Sequence, residues 1–176
     1  SELLSNISAS IVGIFYNVQL LALAGENGVS AYGIILYIQF IFISIYIGYS
    51  VGVAPIVGYN FGAKNHDELR NIRRKSLLLM FIFGVLMVLT SNIFADPLCQ
   101  LFSSGNEELL KMSITGLRIF SISFIITGIN IFTSSFFTAL NDGLTSAVLS
   151  TSRTLVFQVI SILILPIFLG LQTTKL

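Results

Sequence analysis

Charge is what this sequence is short of. Only 10% of its residues are Asp, Glu, Lys or Arg, and 55% are hydrophobic, against roughly 25% charged in ordinary soluble domains. A soluble chain of this size needs far more polar surface, so its solvent is lipid. Cysteine is almost missing too. Cys99 stands alone, which excludes an internal disulfide and leaves no CxxC or zinc pattern. The single histidine, His66, has no Cys or second His near it in sequence, so nothing supports a metal site. A net charge of +1 gives no pull toward nucleic acid. The first apolar stretch lacks a basic n-region and an A-x-A site, so a signal peptide is not expected. A chain opening on Ser1 is expected to be a piece of a longer protein.

What is there is a set of long apolar runs. A membrane helix needs about 20 mainly apolar residues to cross roughly 30 Å of hydrocarbon. Five stretches qualify, at about 3–24, 30–58, 76–95, 112–140 and 144–170. The first ends at the turn-forming Gly25-Glu26-Asn27-Gly28. The second is longer than a bilayer requires, so it must tilt or kink, and Pro55 lies near its end. The third stops at Asp96-Pro97; the fourth carries Arg118 near its start, and the fifth Arg153 in its first turns. The expected fold class is all-α, a polytopic membrane bundle of about five helices.

The connecting segments orient that bundle. Segment 59–75 holds Lys64, Arg70, Arg73, Arg74 and Lys75 against Asp67 and Glu68. The connection before it offers only Glu26, and the one after it Asp96, Glu107, Glu108 and Lys111. The positive-inside rule makes loop 59–75 cytoplasmic and the other two extracytoplasmic. The Ser1 end and the Asn141-Asp142-Gly143 turn then fall on the cytoplasmic side. Asn65 with Glu68 three residues on has capping-box spacing, so a helix is expected to start near His66. Arg70, Arg73 and Arg74 share one face of it, suited either to lipid phosphates or to topology signalling alone.

A polar stripe on a helix in lipid must face protein or a water-filled cavity. The fourth span has Ser123, Thr127, Asn130, Ser134 and Thr138; the first has Asn6, Ser10, Gly13 and Asn17. The second aligns Tyr32, Gln39, Tyr46 and Ser50, and the fifth Ser146, Ser150 and Arg153. Leu77 to Leu89 carries no polar side chain, so that helix is expected to face lipid on most sides. Two uses compete for the stripes. One is close helix packing, which Gly48-x-x-x-Gly52 and Gly58-x-x-x-Gly62 also fit. The other is a cavity for a transported solute, with Asn17, Gln39, Asn130, Ser134 and Arg153 as its candidate lining.

Enzyme chemistry finds no foothold. Glu2, Glu26, Asp67, Glu68, Asp96, Glu107, Glu108 and Asp142 all fall at span ends or between spans, so no acid or base group sits mid-membrane. Gly58-Tyr-Asn-Phe-Gly62-Ala-Lys64 lacks the glycine spacing and following Ser or Thr of a phosphate loop. Asn6-Ile-Ser8 fits a glycosylation pattern but lies at a span on the cytoplasmic side.

Ala54-Pro55-Ile56-Val57-Gly58-Tyr59-Asn60-Phe61-Gly62-Ala63-Lys64 closely resembles the QPLVGYNYGAK signature of the MATE (multidrug and toxic-compound extrusion) transporters. Ser1-Glu2-Leu3 with Phe15-Tyr16-Asn17 resembles the start of that family's seventh helix, and Gly28 to Gly33 the entry to its eighth. Gly128 to Ala139 resembles the tenth; Ser152-Arg153 and Leu165-Pro166 resemble the eleventh. The resemblance implies most of the carboxy-terminal lobe of a twelve-helix antiporter. Such an antiporter exports drugs and organic cations against sodium or proton entry, through the bacterial inner (plasma) membrane. Its implied partners are the bilayer, an amino-terminal lobe and small organic cations; it needs no cofactor beyond the coupling ion. Three departures are visible: no amino-terminal lobe, no continuation of residues 172–176 into a twelfth helix, and no acidic residue in the seventh. Three alternatives stand beside the antiporter: a flippase for lipid-linked precursors, a non-transporting membrane fragment or assembly partner, and an intramembrane enzyme. A flippase cavity is expected to be strongly basic, and an intramembrane enzyme to carry acids or bases mid-span.

Overall fold

The computed structural model describes residues 2–103 and 105–152, and among them every regular element is helical. In chain order these are α1 (Glu2–Gly62), α2 (His66–Ile93), α3 (Ala95–Ser103), α4 (Glu107–Ser121), α5 (Ser123–Ala139) and α6 (Gly143–Thr151). The expected span 144–170 is described only through its first turns, and Arg153 lies outside the described residues.

A straight helix as long as α1 would measure about 90 Å, three bilayer cores. Gly25 prevents that. Its φ of 65° and ψ of −161° suit glycine and strain any residue with a Cβ. The rings of Tyr16 and Tyr32 stack with centroids 4.9 Å apart, whereas sixteen residues of straight helix would separate them by about 24 Å. The chain therefore doubles back at Gly25, where the Gly-rich cluster is expected to turn.

The basic segment is not a loop. Glu, Lys and Arg are good helix formers, so α1 runs through Gly62 and α2 opens at His66, leaving a turn of residues 63–65. Asn65 N bonds Asn60 O at 2.9 Å and Lys64 N bonds Phe61 O at 3.0 Å, with Lys64 left-handed at φ 55°. That is a Schellman stop. The expected helix start follows at once, with Asn65 Oδ1 accepting from Glu68 N at 3.2 Å. The turn between α5 and α6 repeats the device: Asp142 N bonds Phe137 O and Asn141 N bonds Thr138 O, each at 3.0 Å. Asn141 is left-handed at φ 61°, and Asp142 caps α6 through Thr145 N at 3.1 Å.

Side-chain pairs give the directions. Asn92 meets Ser121 and Gly84 meets Ile125, so α2 runs antiparallel to α4 and α5. Tyr46 meets Phe124 and Gly58 meets Ala139, so α5 runs parallel to the second arm of α1. The 63–65 and 140–142 turns thus share one end of the bundle. Asn27 and Glu108, joined at 3.0 Å, mark the other.

The core has two apolar clusters. One gathers Tyr46, Val57, Leu69, Met80, Met87, Phe124, Phe132 and Phe136; the other Ile34, Ile35, Ile38, Ala95, Cys99 and Leu117. Outside them the soluble pattern is inverted, with Ile14, Phe40, Val51, Leu78, Ile119 and Ile126 each at least 60% exposed. Scattered apolar side chains are normal on a soluble surface, but belts of them on every long helix mark a lipid-facing one.

Three expectations need correction. The fourth span is not one helix: α4 and α5 meet at Ile122 with a 51° bend. No Pro or Gly sits there, but polar side chains hold the backbone. Ser121 Oγ donates back to Arg118 O at 2.7 Å, a local bond of the kind that bends helices, and Tyr46 Oη reaches across from α1 to Phe124 O at 3.0 Å. Second, among the described residues, Gly48, Gly52 and Gly62 are not where helices meet, and of the two GxxxG pairs only Gly58 touches another helix, an added Cβ lying 3.7 Å from Ala139 O. A Cβ on Gly48, Gly52 or Gly62 would meet nothing within 4 Å, whereas one on Gly84 would lie 2.6 Å from Ile125 Cα. Third, α2 packs most extensively on α5, burying Ser76, Met80, Gly84, Met87 and Ser91, so it gives lipid only its opposite side. Finally, α3 is an element the charge pattern did not announce. Pro97 in its first turn costs no hydrogen bond, and it buries Ala95, Cys99 and Ser103 at one-turn intervals.

Candidate functional site

Amides and hydroxyls are the polar chemistry this bundle keeps between its ends, because no carboxylate lies within the expected spans. Asn17 is exposed on the first arm of α1. With Val18, Leu21, Glu26, Val29 and Ser30 it lines an open groove of about 450 Å³ in the crook of the Gly25 bend. Glu26 gives that groove one negative charge, near the end of the bundle. Gln39 and Asn130 are half-buried, and neither makes a hydrogen bond to another described residue. A half-buried amide has four hydrogen-bonding sites to satisfy, so both are free to take a solute or water.

Ser134 has a different neighbourhood. Its hydroxyl lies 2.9 Å from Ser146 Oγ and 2.7 Å from Ser150 Oγ, and Thr138 Oγ1 donates to Ser146 Oγ at 2.8 Å. This cluster joins α5 to α6 with Ser146 and Ser150 buried. In this part of the stripe, helix packing is the use observed. Thr127 Oγ1 turns back to Ser123 O at 2.9 Å, which leaves Asn130 and the Ser123 hydroxyl as the stripe's open polar groups. No hydrogen bond joins Asn17, Gln39, Asn130 and Ser134 to one another.

Tyr46 carries more than its place in a polar stripe announced. Fully buried, it lays its ring against Gly128 and gives its hydroxyl to Phe124 O, just past the bend. Asn92 Nδ2 approaches Ser121 Oγ, just before the bend, at 3.3 Å. The sevenfold spacing of Tyr32, Gln39 and Tyr46 signalled a shared face, but not what lay across from it.

The charges stay at the ends. Arg118 pairs with Asp96 at 3.6 Å, both half-exposed, an arrangement worth little in water. Asp142 is held below the usual carboxylate range, first by the Thr145 hydroxyl and then by the Thr145 amide.

Doubled-back helices, largely apolar outer faces and charges at the ends together define a multi-spanning membrane protein. The chain belongs to the MatE family, whose model matches residues 3–164. It is 26% identical over 117 residues to the probable multidrug resistance protein YoeA of Bacillus subtilis (strain 168), covering 66% of this chain and 25% of that protein. Its fold is similar to an inward-facing conformation of a multidrug resistance MATE family transporter of the MOP superfamily. That match has a TM-score of 0.85 at 24% identity, over 97% of this chain and 39% of the other. An outward-facing conformation of such a transporter gives a TM-score of 0.84 at 25% identity, over 97% and 38%. The chain therefore spans about a quarter of the curated relative and under two fifths of the solved transporters.

Proposed function

We propose that this chain is the carboxy-terminal lobe, helices seven to eleven, of an antiporter that exports drugs or organic cations by alternating access. One observation carries the reading: the lobe fits an inward-facing and an outward-facing relative equally well, with TM-scores of 0.85 and 0.84. Equal likeness to relatives in both states supports rigid rocking of two lobes around a midplane cavity. Gln39 and Asn130, with Asn17 and Arg153, are the proposed contacts of this lobe to solute, and Ser134 holds the wall behind them. The reading places the protein in the plasma membrane with the 59–75 segment cytoplasmic. It pairs the lobe with an amino-terminal lobe and couples export to sodium or proton entry. With no acid in these spans, ion binding falls to the partner lobe or to these neutral amides.

The test is ethidium efflux from a pump-deficient host expressing the full-length gene. Gln39→Leu and Asn130→Leu are expected to cut efflux about three- to tenfold each at unchanged protein abundance, the worth of one hydrogen bond to solute. Absence of dye movement under either a sodium or a proton gradient refutes the transport reading. Full activity in both variants refutes the site.

A further inference from the structure

The basic start of α2 has its own geometry, independent of what the protein transports. Arg70, Arg73, Arg74 and Lys75 are all exposed, and none makes an ion pair with a described residue; the pair recorded among these residues is Arg118 with Asp96. The acids nearest in sequence do not neutralise them: Asp67 is exposed with no ion pair, and the Glu68 carboxylate accepts from Asn71 Nδ2 at 3.2 Å. Four uncompensated positive charges therefore occupy two turns.

Below them the same side of the helix is apolar and open. Residues 78, 81 and 82 stand four, seven and eight positions after Arg74, which places them on its face. These are Leu78, Phe81 and Ile82, exposed by 60%, 48% and 45%. Leu86, Leu89 and Ile93 carry the exposed strip to the far end of α2. The opposite side, Leu69, Ser76, Met80, Gly84 and Met87, is the one packed into the bundle. Arg70 and Arg74 thus cap a strip that faces acyl chains, so the phosphates of those same lipids lie beside them. From Arg70 to Lys75 the helix rises about 7.5 Å, and a headgroup layer is about 5–8 Å thick on each face. Exposed Tyr59, at the end of α1, supplies a side chain of the kind enriched at that depth.

We propose that Arg70, Arg73, Arg74 and Lys75 form a binding site for anionic phospholipid, which stays with the protein as an annular ligand at α2. The occupant is a lipid, because Arg70, Arg74 and Lys75 continue an acyl-facing strip rather than line a water-filled pocket, with exposed Arg73 beside them. The proposal depends on α2 crossing the membrane and not on transport, so its readout is bound lipid alone.

The full-length protein is purified in detergent containing equal amounts of phosphatidylglycerol and phosphatidylcholine, and co-purifying lipid is quantified by mass spectrometry. Phosphatidylglycerol is expected to be enriched over its bulk fraction. Arg70→Gln with Arg74→Gln is expected to lower the bound phosphatidylglycerol-to-phosphatidylcholine ratio by up to about fivefold per charge removed, while Arg70→Lys with Arg74→Lys retains it. In the unmodified protein the enrichment is expected to fall with added salt, as the Debye length shortens from about 10 Å at 0.1 M to about 3 Å at 1 M. This arm needs no variant to fold. Equal enrichment in the Gln variant, or none in the unmodified protein, overturns the proposal. So does displacement of the lipid by millimolar inorganic phosphate, which marks a free-anion site instead.

Discussion

Gly84→Ala is expected to force α2 away from α5. The added Cβ would lie 2.6 Å from Ile125 Cα and 3.2 Å from its Cγ1. Because the nearest obstacle is backbone, a rotamer change does not relieve it and the helices must separate. Overpacking of this kind costs typically about 1–3 kcal/mol, and sometimes more, offset by the roughly 1 kcal/mol that alanine gains over glycine in a helix. Gly128→Ala meets the buried Tyr46 ring at 2.5 Å from Cε1 and 2.7 Å from Cζ, and it is expected to fall in the same range. Gly48→Ala and Gly52→Ala meet nothing within 4 Å, so only the helix gain of up to about 1 kcal/mol remains. The separation between the two pairs is therefore about 1–3 kcal/mol. Thermal unfolding of detergent-purified protein, followed by circular dichroism and by the monodisperse fraction on size exclusion, measures it. A Tyr46→Leu background is expected to remove most of the Gly128→Ala penalty and leave the Gly84→Ala penalty intact. If Gly48→Ala destabilises as much as Gly84→Ala, the helix contacts described above are wrong and the GxxxG spacing was the better guide.

Tyr46→Phe is expected to cost about 1–2 kcal/mol, one hydrogen bond net plus part of the penalty on a carbonyl left less well satisfied; the same unfolding assay reads it. Lys64→Gly relieves a left-handed non-glycine residue at the Schellman position and is expected to stabilise by about 1 kcal/mol, whereas Lys64→Val destabilises. Asp142 has its carboxyl pKa depressed in the folded state, so its contribution is complete above the unfolded value of about 3.9 and is lost as pH falls toward the folded one. Acid titration of the Asp142→Asn variant is expected to lack that loss; an identical titration to the unmodified protein refutes the cap.

What the sequence made legible was whatever is decided locally. Helix α2 starts where Asn65 and Glu68 say it does, because a cap is settled within four residues. The chain turns at Gly25 because that backbone conformation suits glycine. Charge runs separated the two ends of the bundle, because no charge lies cheaply in hydrocarbon. What failed was decided across helices. Gly48 and Gly84 look alike in sequence, and only the register of α5 against α2 selects the second. The bend at Ile122 has no Pro or Gly to announce it, since two of the three groups at it, Tyr46 and Asn92, come from far away in sequence and only Ser121 is local. That the Ser134 hydroxyl meets Ser146 and Ser150 is likewise settled only by α6 arriving opposite it. Gln39 and Asn130 remain open amides because the described residues packed around them bring no hydrogen-bond partner.

The hydroxyl cluster between α5 and α6 has one more consequence. Ser134 and Thr138 are one turn apart, and so are Ser146 and Ser150, so the two helices meet as ladders with the same rung spacing. A slide by a whole rung would still pair one rung and leave one hydroxyl on each helix bare, so the hydroxyls alone select the alignment only weakly. The tight turn at Asn141 and Asp142 fixes it. Lengthening that turn would let the two rails close one rung out with the loss of those bonds alone.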